Sequence, residues 1–339
     1  MKIGTTDISD LTIGTTDINS VYLGTTEIWT RSTGTPFNLI AIGGGSGDPI
    51  ELSYDYGSNW TTKTNPSGSF VASFIDFSDD GKYIIITDST NTSYPIWSTD
   101  YGASWSTLSA VAAAKYTGCA ISSDGQYMSI CAPASYAIYE TSNYGSSWTL
   151  RSTSSKAIGV MDISSDGGYL IGGDSKNATG SAWYSTDMGA NWSTWSGGIS
   201  AQTVISLAID GGAGEAYTGQ GGSQYQKDLS FPGTRSATTL SGSSGVFVNT
   251  MPTGQNVLVK DSTGAVYMSS DYGANFSALT TPTWNTVSSP QNSNRNLSVN
   301  GSRILFGDSS GTLLYNNGLS WSYITNLTTT SAINCCGIL

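Results

Sequence analysis

The chain has 339 residues, a formal net charge of −11, only 11% charged residues, 41 glycines and no histidine. An acidic balance of that size argues against a nucleic-acid or anionic-membrane binder, which needs clustered lysine and arginine. Without histidine there is no imidazole base and no imidazole metal ligand.

Taken from the start, Met1-Lys2-Ile3-Gly4 opens a patterned segment with no apolar run behind it. No secretory signal is therefore read here, and no stretch reaches the roughly 18 apolar residues of a membrane span. Ile3-Gly4-Thr5-Thr6-Asp7-Ile8 returns as Ile13-Gly14-Thr15-Thr16-Asp17-Ile18 and again as Leu23-Gly24-Thr25-Thr26-Glu27-Ile28. Such short β-prone segments bury too little surface to fold alone. Residues 1–32 are expected to be an anchor that needs a partner, either copies of the same chain or a host assembly whose sheet they extend. Residues 33–36 read as a linker.

Beyond the linker, apolar runs alternate with tight turns. Ile75-Asp76-Phe77-Ser78-Asp79-Asp80-Gly81-Lys82-Tyr83-Ile84-Ile85-Ile86 is one such run, and it recurs around Asp124-Gly125 and Asp166-Gly167. Asp-Gly between two β-rich runs is a strong hairpin signal. About 20 residues further on in each unit comes a second turn of the form Ser-x-Asp-x-Gly-x-x-Trp. It carries Asp55, Asp100, Asn143, Asp187 and Asp271, with Trp60, Trp105, Trp148, Trp192 and Phe276 as its aromatic, and a worn copy holds Asn316 and Trp321. The steps between the acidic or amide positions are 45, 43, 44, 84 and 45, so one copy is missing near Asp228. Each unit then reads strand A, Asp-Gly turn, strand B, loop, strand C, second turn, strand D. Seven such four-stranded units over residues 37–339 predict an all-β protein, a seven-bladed β-propeller.

The two ends of this region fit together. The first unit starts at its second strand, Phe37 to Ile42, with no strand A ahead of it. The last unit runs on through Ser331-Ala332-Ile333-Asn334-Cys335-Cys336-Gly337-Ile338-Leu339, where another strand A belongs. The C-terminus is thus expected to supply the inner strand of blade one and close the ring.

The Ser-x-Asp-x-Gly-x-x-Trp turns closely resemble the Asp box of the BNR, or sialidase-like, β-propellers, in which the box is structural. The resemblance covers about nine-tenths of the chain. It implies fold more than activity, since Asp boxes occur in sialidases, other glycosidases, sortilin-type receptors and non-catalytic binders. The decapeptide repeats resemble N-terminal segments of virion and tail-associated proteins of tailed bacteriophages.

In this strand order the A–B and C–D turns share one end of the ring, and the D–A and B–C loops share the other. Candidate ligand-binding residues on the loop-rich end are Tyr94, Tyr136, Arg151, Trp195 and Trp284, since flat aromatic faces suit sugar rings. The competing reading is that these aromatics pack their own loops. Four B–C loops open with Asp-Ser, at Asp88, Asp174, Asp261 and Asp308. A carboxylate ring could hold Ca²⁺, but an Asx turn at each loop is the expected reading and no metal or other cofactor is assigned. Cys119, Cys131, Cys335 and Cys336 are expected to be buried free thiols.

A sialidase also needs an arginine triad, a Tyr–Glu nucleophile pair and an acid Asp. The Phe/Tyr-Arg-Ile-Pro signature of that family is absent, and Phe231-Pro232-Gly233-Thr234-Arg235 has the wrong order. Glu51 and Glu140 fall on C strands, away from a funnel, so no catalytic residue is assigned. The expected function is a non-enzymatic virion appendage. Residues 1–32 would bind other virion proteins, with homo-oligomerisation possible there, and the propeller would meet a host-surface glycan or receptor. Such a protein would be assembled in the host cytoplasm. A purely structural capsid or neck decoration protein is the alternative, and a glycoside hydrolase is a further one.

Overall fold

In the computed structural model the described residues are the strand residues within 1–35 and, from 36 onward, all except 89, 91–92, 153–155, 177–180, 198–202, 221–223, 240–245, 251–253, 262–264, 280–296, 301–302, 308–311, 318–319 and 330. The chain divides into two units, Met1–Thr35 and Pro36–Leu339. Most of the expected linker lies outside the described residues.

The first unit holds three two-stranded hairpins. Lys2–Ile3 pairs with Thr6–Asp7, Thr12–Ile13 with Thr16–Asp17, and Ser20–Leu23 with Thr26–Thr30. The register Ile3↔Thr6 is repeated as Ile13↔Thr16 and Leu23↔Thr26.

The second unit is a seven-bladed propeller. Its strands form seven antiparallel four-stranded sheets, each running outward from strand A to strand D. Blade 2 shows the pattern with Ala72–Phe77, Ile84–Asp88, Ile96–Ser98 and Ser106–Thr107. The inner strands of blades 3 to 7 are Gly118–Ile121, Ile158–Ile163, Val204–Ile209, Val246–Thr250 and Leu297–Asn300. Blade 1 takes its inner strand from the far end of the chain, where Ile333–Ile338 pairs with Leu39–Gly43. Ile50–Ser53 and Thr61–Lys63 complete it.

The core lies between blades. Seven buried clusters each join two neighbouring blades, so the set closes on itself. Side chains alternate across a strand, which sends Ile84 and Ile86 into the blade 1–blade 2 cluster and Ile85 into the blade 2–blade 3 cluster. An inner strand is therefore buried on both faces and reads as a continuous apolar run. The same alternation separates the thiols. Cys119 pairs with Ile130, one residue out of step with Cys131, and the two side chains enter different clusters. All four cysteines are free and buried.

Closure is reinforced beyond the strand pair. The Glu51 carboxylate on strand C of blade 1 accepts from the Thr328 backbone N–H at 2.8 Å and from the Thr328 hydroxyl. Asn334 Nδ2 donates to the Ala72 carbonyl at 2.9 Å, tying the last strand to blade 2. Asn326 Nδ2 reaches the Ser58 carbonyl at 3.2 Å.

Register locates the missing copy and corrects the worn one. Asp228 pairs with Ala216, the place that Ser98 takes opposite Ile84 in blade 2, so Asp228 replaces the turn serine and not the turn aspartate. Asn316 likewise stands opposite Ile304, at the serine position. In blade 2 Trp97 pairs with Ser106, whereas in blade 7 Tyr315 pairs with Ser322, so the blade 7 turn is two residues shorter.

Removing Ser331–Leu339 takes the inner strand from blade 1 and strips one side from two clusters. The truncated protein should show no cooperative thermal transition by circular dichroism; an unchanged melting temperature would contradict closure.

Candidate functional site

The recurrent turn uses its own polar groups. Tyr101 and Gly102 have φ of 62° and 75°, the signs of a type I′ turn, and Ala103 N–H donates to the Asp100 carbonyl at 3.1 Å. Positive φ is uncommon for a tyrosine, yet Tyr56, Tyr144 and Tyr272 repeat it and Met188 takes the same place. The Tyr101 N–H is held by the Lys82 carbonyl of the A–B turn at 3.2 Å, and Tyr144 and Tyr272 are held likewise by Gln126 and Gln255. Ser98 Oγ donates to Asp100 Oδ1 at 2.8 Å and accepts from Gly102 N–H at 2.9 Å. The second Asp100 oxygen accepts from Ser104 Oγ at 2.6 Å.

Asp55, Asp187 and Asp271 repeat this pattern with Asn59, Asn191 and Asn275 as the second donor. Asn143 keeps it by reversing one bond, its Nδ2 donating to Ser147 Oγ at 2.8 Å. Both oxygens of each carboxylate thus serve the turn itself.

The turn aromatic packs against the preceding blade. Trp105 joins the blade 1–blade 2 cluster, Trp148 the next, and Trp192, Phe276, Trp321 and Trp60 take the corresponding places. Gly102 allows the close approach, since a Cβ there would meet Leu52 Cδ1 of blade 1 at 2.7 Å. Blade 5 lacks the motif but keeps the wedge. Its Phe231 lies edge-on to Trp195, Tyr169 and Tyr184 at ring distances of 5.1, 5.5 and 5.6 Å.

Trp195 is accordingly no loop residue. It ends strand D of blade 4, is 1% exposed, and donates from Nε1 to Asp228 Oδ2 at 2.9 Å. Arg235 stacks on its indole at 5.0 Å, and burial pulls the guanidinium pKa down to about 10. Arg151 lies on strand D of blade 3 and pairs with Glu140, so neither is a loop ligand. Burial pushes the Glu140 carboxyl up against the pull of Arg151, with Asp187 adding to the rise. Tyr94 and Tyr136 do lie in B–C loops, Tyr94 exposed and Tyr136 half-buried. The structure gives no contact that brings them together. Trp284 and Asp308 lie outside the described residues.

The other Asp-Ser positions form local turns. Asp88 Oδ1 accepts from Thr90 N–H at 2.7 Å, Asp174 Oδ1 from Lys176 N–H at 3.0 Å, and Asp261 Oδ1 from Ala265 N–H at 2.9 Å. Among the described residues no acidic or thiol cluster has a metal-binding arrangement.

One cavity of about 120 Å³ opens where the inner strands meet the A–B turns, lined by Asp76, Asp162, Ser123, Ser165, Asn249 and Thr250 among others. Its carboxylates link blades: Asp76 Oδ2 accepts from Ile121 N–H at 2.8 Å and Asp162 Oδ2 from Ile209 N–H at 3.0 Å. Sequence reasoning missed this cavity, because inner-strand aspartates two blades apart have no local signature. It also missed the lysines Lys115, Lys156 and Lys176 at the loop-rich end. Their signal was available in the scarcity of cations over a long acidic chain.

No protein-family profile and no curated protein matches the chain. Solved structures do. The chain is similar to a chain in the crystal structure of a nidogen/laminin complex, at TM-score 0.53 and 14% identity over 70% of this chain and 90% of that one. Hydrazine synthase of Kuenenia stuttgartiensis gives 0.56 and 13% over 72% and 76%. YCF48 bound to a D1 peptide gives 0.57 and 13% over 78% and 86%. The chain has the propeller fold. At this identity the likeness extends to fold alone.

Acid should act through the recurrent turns. Hydrogen bonds from Ser269 and Asn275 pull the Asp271 carboxyl down to about 2, and bonds from Asn59 and Asn191 lower Asp55 and Asp187. Unfolded aspartates titrate near ~4. The unfolded chain thus binds more protons, and the stability from these groups is complete above that value and lost as pH falls from ~4 toward ~2. The melting temperature should fall through this window, and Asp271→Asn should make the fall shallower, since Asn143 already fits the turn. An equally steep fall in the variant would contradict this.

Proposed function

We propose that this protein is a non-enzymatic appendage of a bacteriophage virion, attached through residues 1–32 and presenting the propeller to the host surface. The observation that carries the reading is the division of the chain. Three hairpins of near-identical sequence form a unit of their own, while the seven blade interfaces are built from residues of the other unit. Two-stranded hairpins are marginal alone in water, so a docking role gives them a partner. The phage assignment rests on the resemblance of these repeats.

The recurrent turns, on this reading, are Asp boxes of a sialidase-like propeller that has lost, or never had, the hydrolase residues. Their carboxylates are committed to their own turns, which favours a scaffold over a catalyst. Two of the similar structures are seen with a protein or peptide partner, which is in keeping with a binding module. Glycan contact fits the loop-rich end, where Tyr94 and Tyr136 are accessible. A purely structural decoration protein would share the anchor and leave that end without a ligand.

Deleting residues 1–32 should leave the melting temperature of the propeller unchanged and abolish its incorporation into particles, measured by mass spectrometry of purified virions. Truncated chains recovered on particles at the normal level would refute the anchor.

A further inference from the structure

We propose that the loop-rich end of blades 3 and 4 binds an anionic saccharide, one bearing carboxylate or phosphate groups. The inference rests on the host-surface reading above and narrows its ligand class.

Charge is unevenly placed on this chain. The recurrent turns and A–B turns put Asp55, Asp79, Asp100, Asp124, Asp166 and Asp187 at one end of the ring. At the opposite end three lysines lie on loops of neighbouring blades. Lys115 and Lys156 lie on D–A loops, three and two residues before the inner strands that start at Gly118 and Ile158. Lys176 lies two residues past strand B of blade 4, which ends at Asp174.

Three contacts show that these segments converge. Thr117 Oγ1 donates to the Gly159 carbonyl at 2.7 Å. The Ser175 hydroxyl fills the place where a Cβ on Gly159 would stand, and Thr117 Oγ1 is 3.1 Å from that point. Ser175 N–H donates to the Ala157 carbonyl at 3.4 Å. The loops that carry residues 115, 156 and 176 thus meet at Thr117, Gly159 and Ser175.

Among the described residues two of these cations have no ion-pair partner. Lys115 is half-buried and Lys176 exposed, and neither makes an ion pair among the described residues. The Lys176 ammonium lies 5.4 Å from the centre of the Tyr136 ring, which comes from the B–C turn of blade 3. The described carboxylates at this end of blades 2 to 4 are Asp88 and Asp174, both buried; Asp88 accepts from Thr90 and Val71 N–H and Asp174 from Lys176 N–H.

Ammonium groups next to a tyrosine ring suit a sugar that carries a negative group. The charge answers the lysines, and the ring offers an apolar face and a hydroxyl. A nucleic acid or an anionic bilayer would need a broader basic surface and would meet long-range repulsion from a chain of net charge −11. A short local contact avoids most of that repulsion, since it is screened beyond a Debye length.

The test uses the full chain and three immobilised polysaccharides: polygalacturonate for carboxylate, phosphomannan for phosphate, and dextran as the neutral reference. The expected result is binding to at least one anionic polymer, weakened by added salt, with none to dextran. The double variant Lys115→Glu/Lys176→Glu should bind about tenfold more weakly or worse, with unchanged melting temperature. Lys82→Glu, at the opposite end, should bind as the parent does. Equal binding by the double variant, a preference for dextran, or no binding to either anionic polymer would overturn the proposal. Host cells separate the two readings: undiminished cell binding by the double variant sinks the anionic ligand and leaves host contact standing, whereas no cell binding by the parent sinks host contact.

Discussion

The structure depends on one strand pair that joins the ends of the propeller. Ile333–Ile338 lies beside Leu39–Gly43, and its alternate side chains enter two interfaces. Cys335 belongs to the cluster shared with blade 2, whereas Ile333, Cys336 and Ile338 belong to the one shared with blade 7. Every blade needs both neighbours to bury its inner strand, so an open array of these sheets would leave two broad apolar faces in water. Closure across nearly the whole chain costs conformational entropy that local contacts do not repay. The bonds from Glu51, Asn326 and Asn334 add polar ties at the seam and fix the last loop against blade 1.

Around the ring the interfaces share one device. In the five full copies a turn with two left-handed residues brings a glycine against the preceding blade, and an aromatic seven residues past the turn serine or threonine fills the gap beside it. Blade 5 shows that the wedge matters more than the motif. There Phe231 takes the aromatic's place, Asp228 takes the serine's, and Asp228 satisfies the Trp195 indole and the Gly233 N–H from one oxygen. Inner strands are further linked by side chains that accept from the next blade's backbone, as Ser206 Oγ does from Val248 N–H at 2.9 Å.

Most of the fold was legible because the repeat states it several times. The Asp-Gly turns marked A–B hairpins, Trp60 through Trp321 marked C–D turns, and the missing strand before Phe37 matched the surplus one after Ser331. Two kinds of fact were not legible. Register cannot be read from a worn copy: Asn316 resembles the turn aspartate, but a turn shortened by two residues places it at the serine. Burial at a motif's edge depends on a blade that lacks the motif, which is why Trp195 looked like a loop aromatic. The left-handed tyrosines carry no sequence signal either, since asparagine or glycine would be the usual choice at that φ. For the functional end, Tyr94 and Tyr136 were placed correctly on loops, while Lys115, Lys156 and Lys176 gain meaning only when Thr117, Gly159 and Ser175 are seen to meet.

The two ends of the ring therefore have different work. The turn end is a scaffold in which carboxylates, glycines and aromatics lock blades together. The loop end carries the accessible Tyr94 and the half-buried Tyr136, with Lys115 and Lys176, which make no ion pair among the described residues. Both descriptions hold only if the C-terminal strand sits in the register given. Cys336 pairs with Ala41, and both side chains face the same cluster. Cross-strand neighbours at that spacing are within disulfide reach. The direct measurement is peptide mapping of oxidised Ala41→Cys protein: a disulfide joining positions 41 and 336 is the predicted result. A link from position 41 to Cys335, or separately alkylated thiols at positions 41 and 336, would contradict the closed ring.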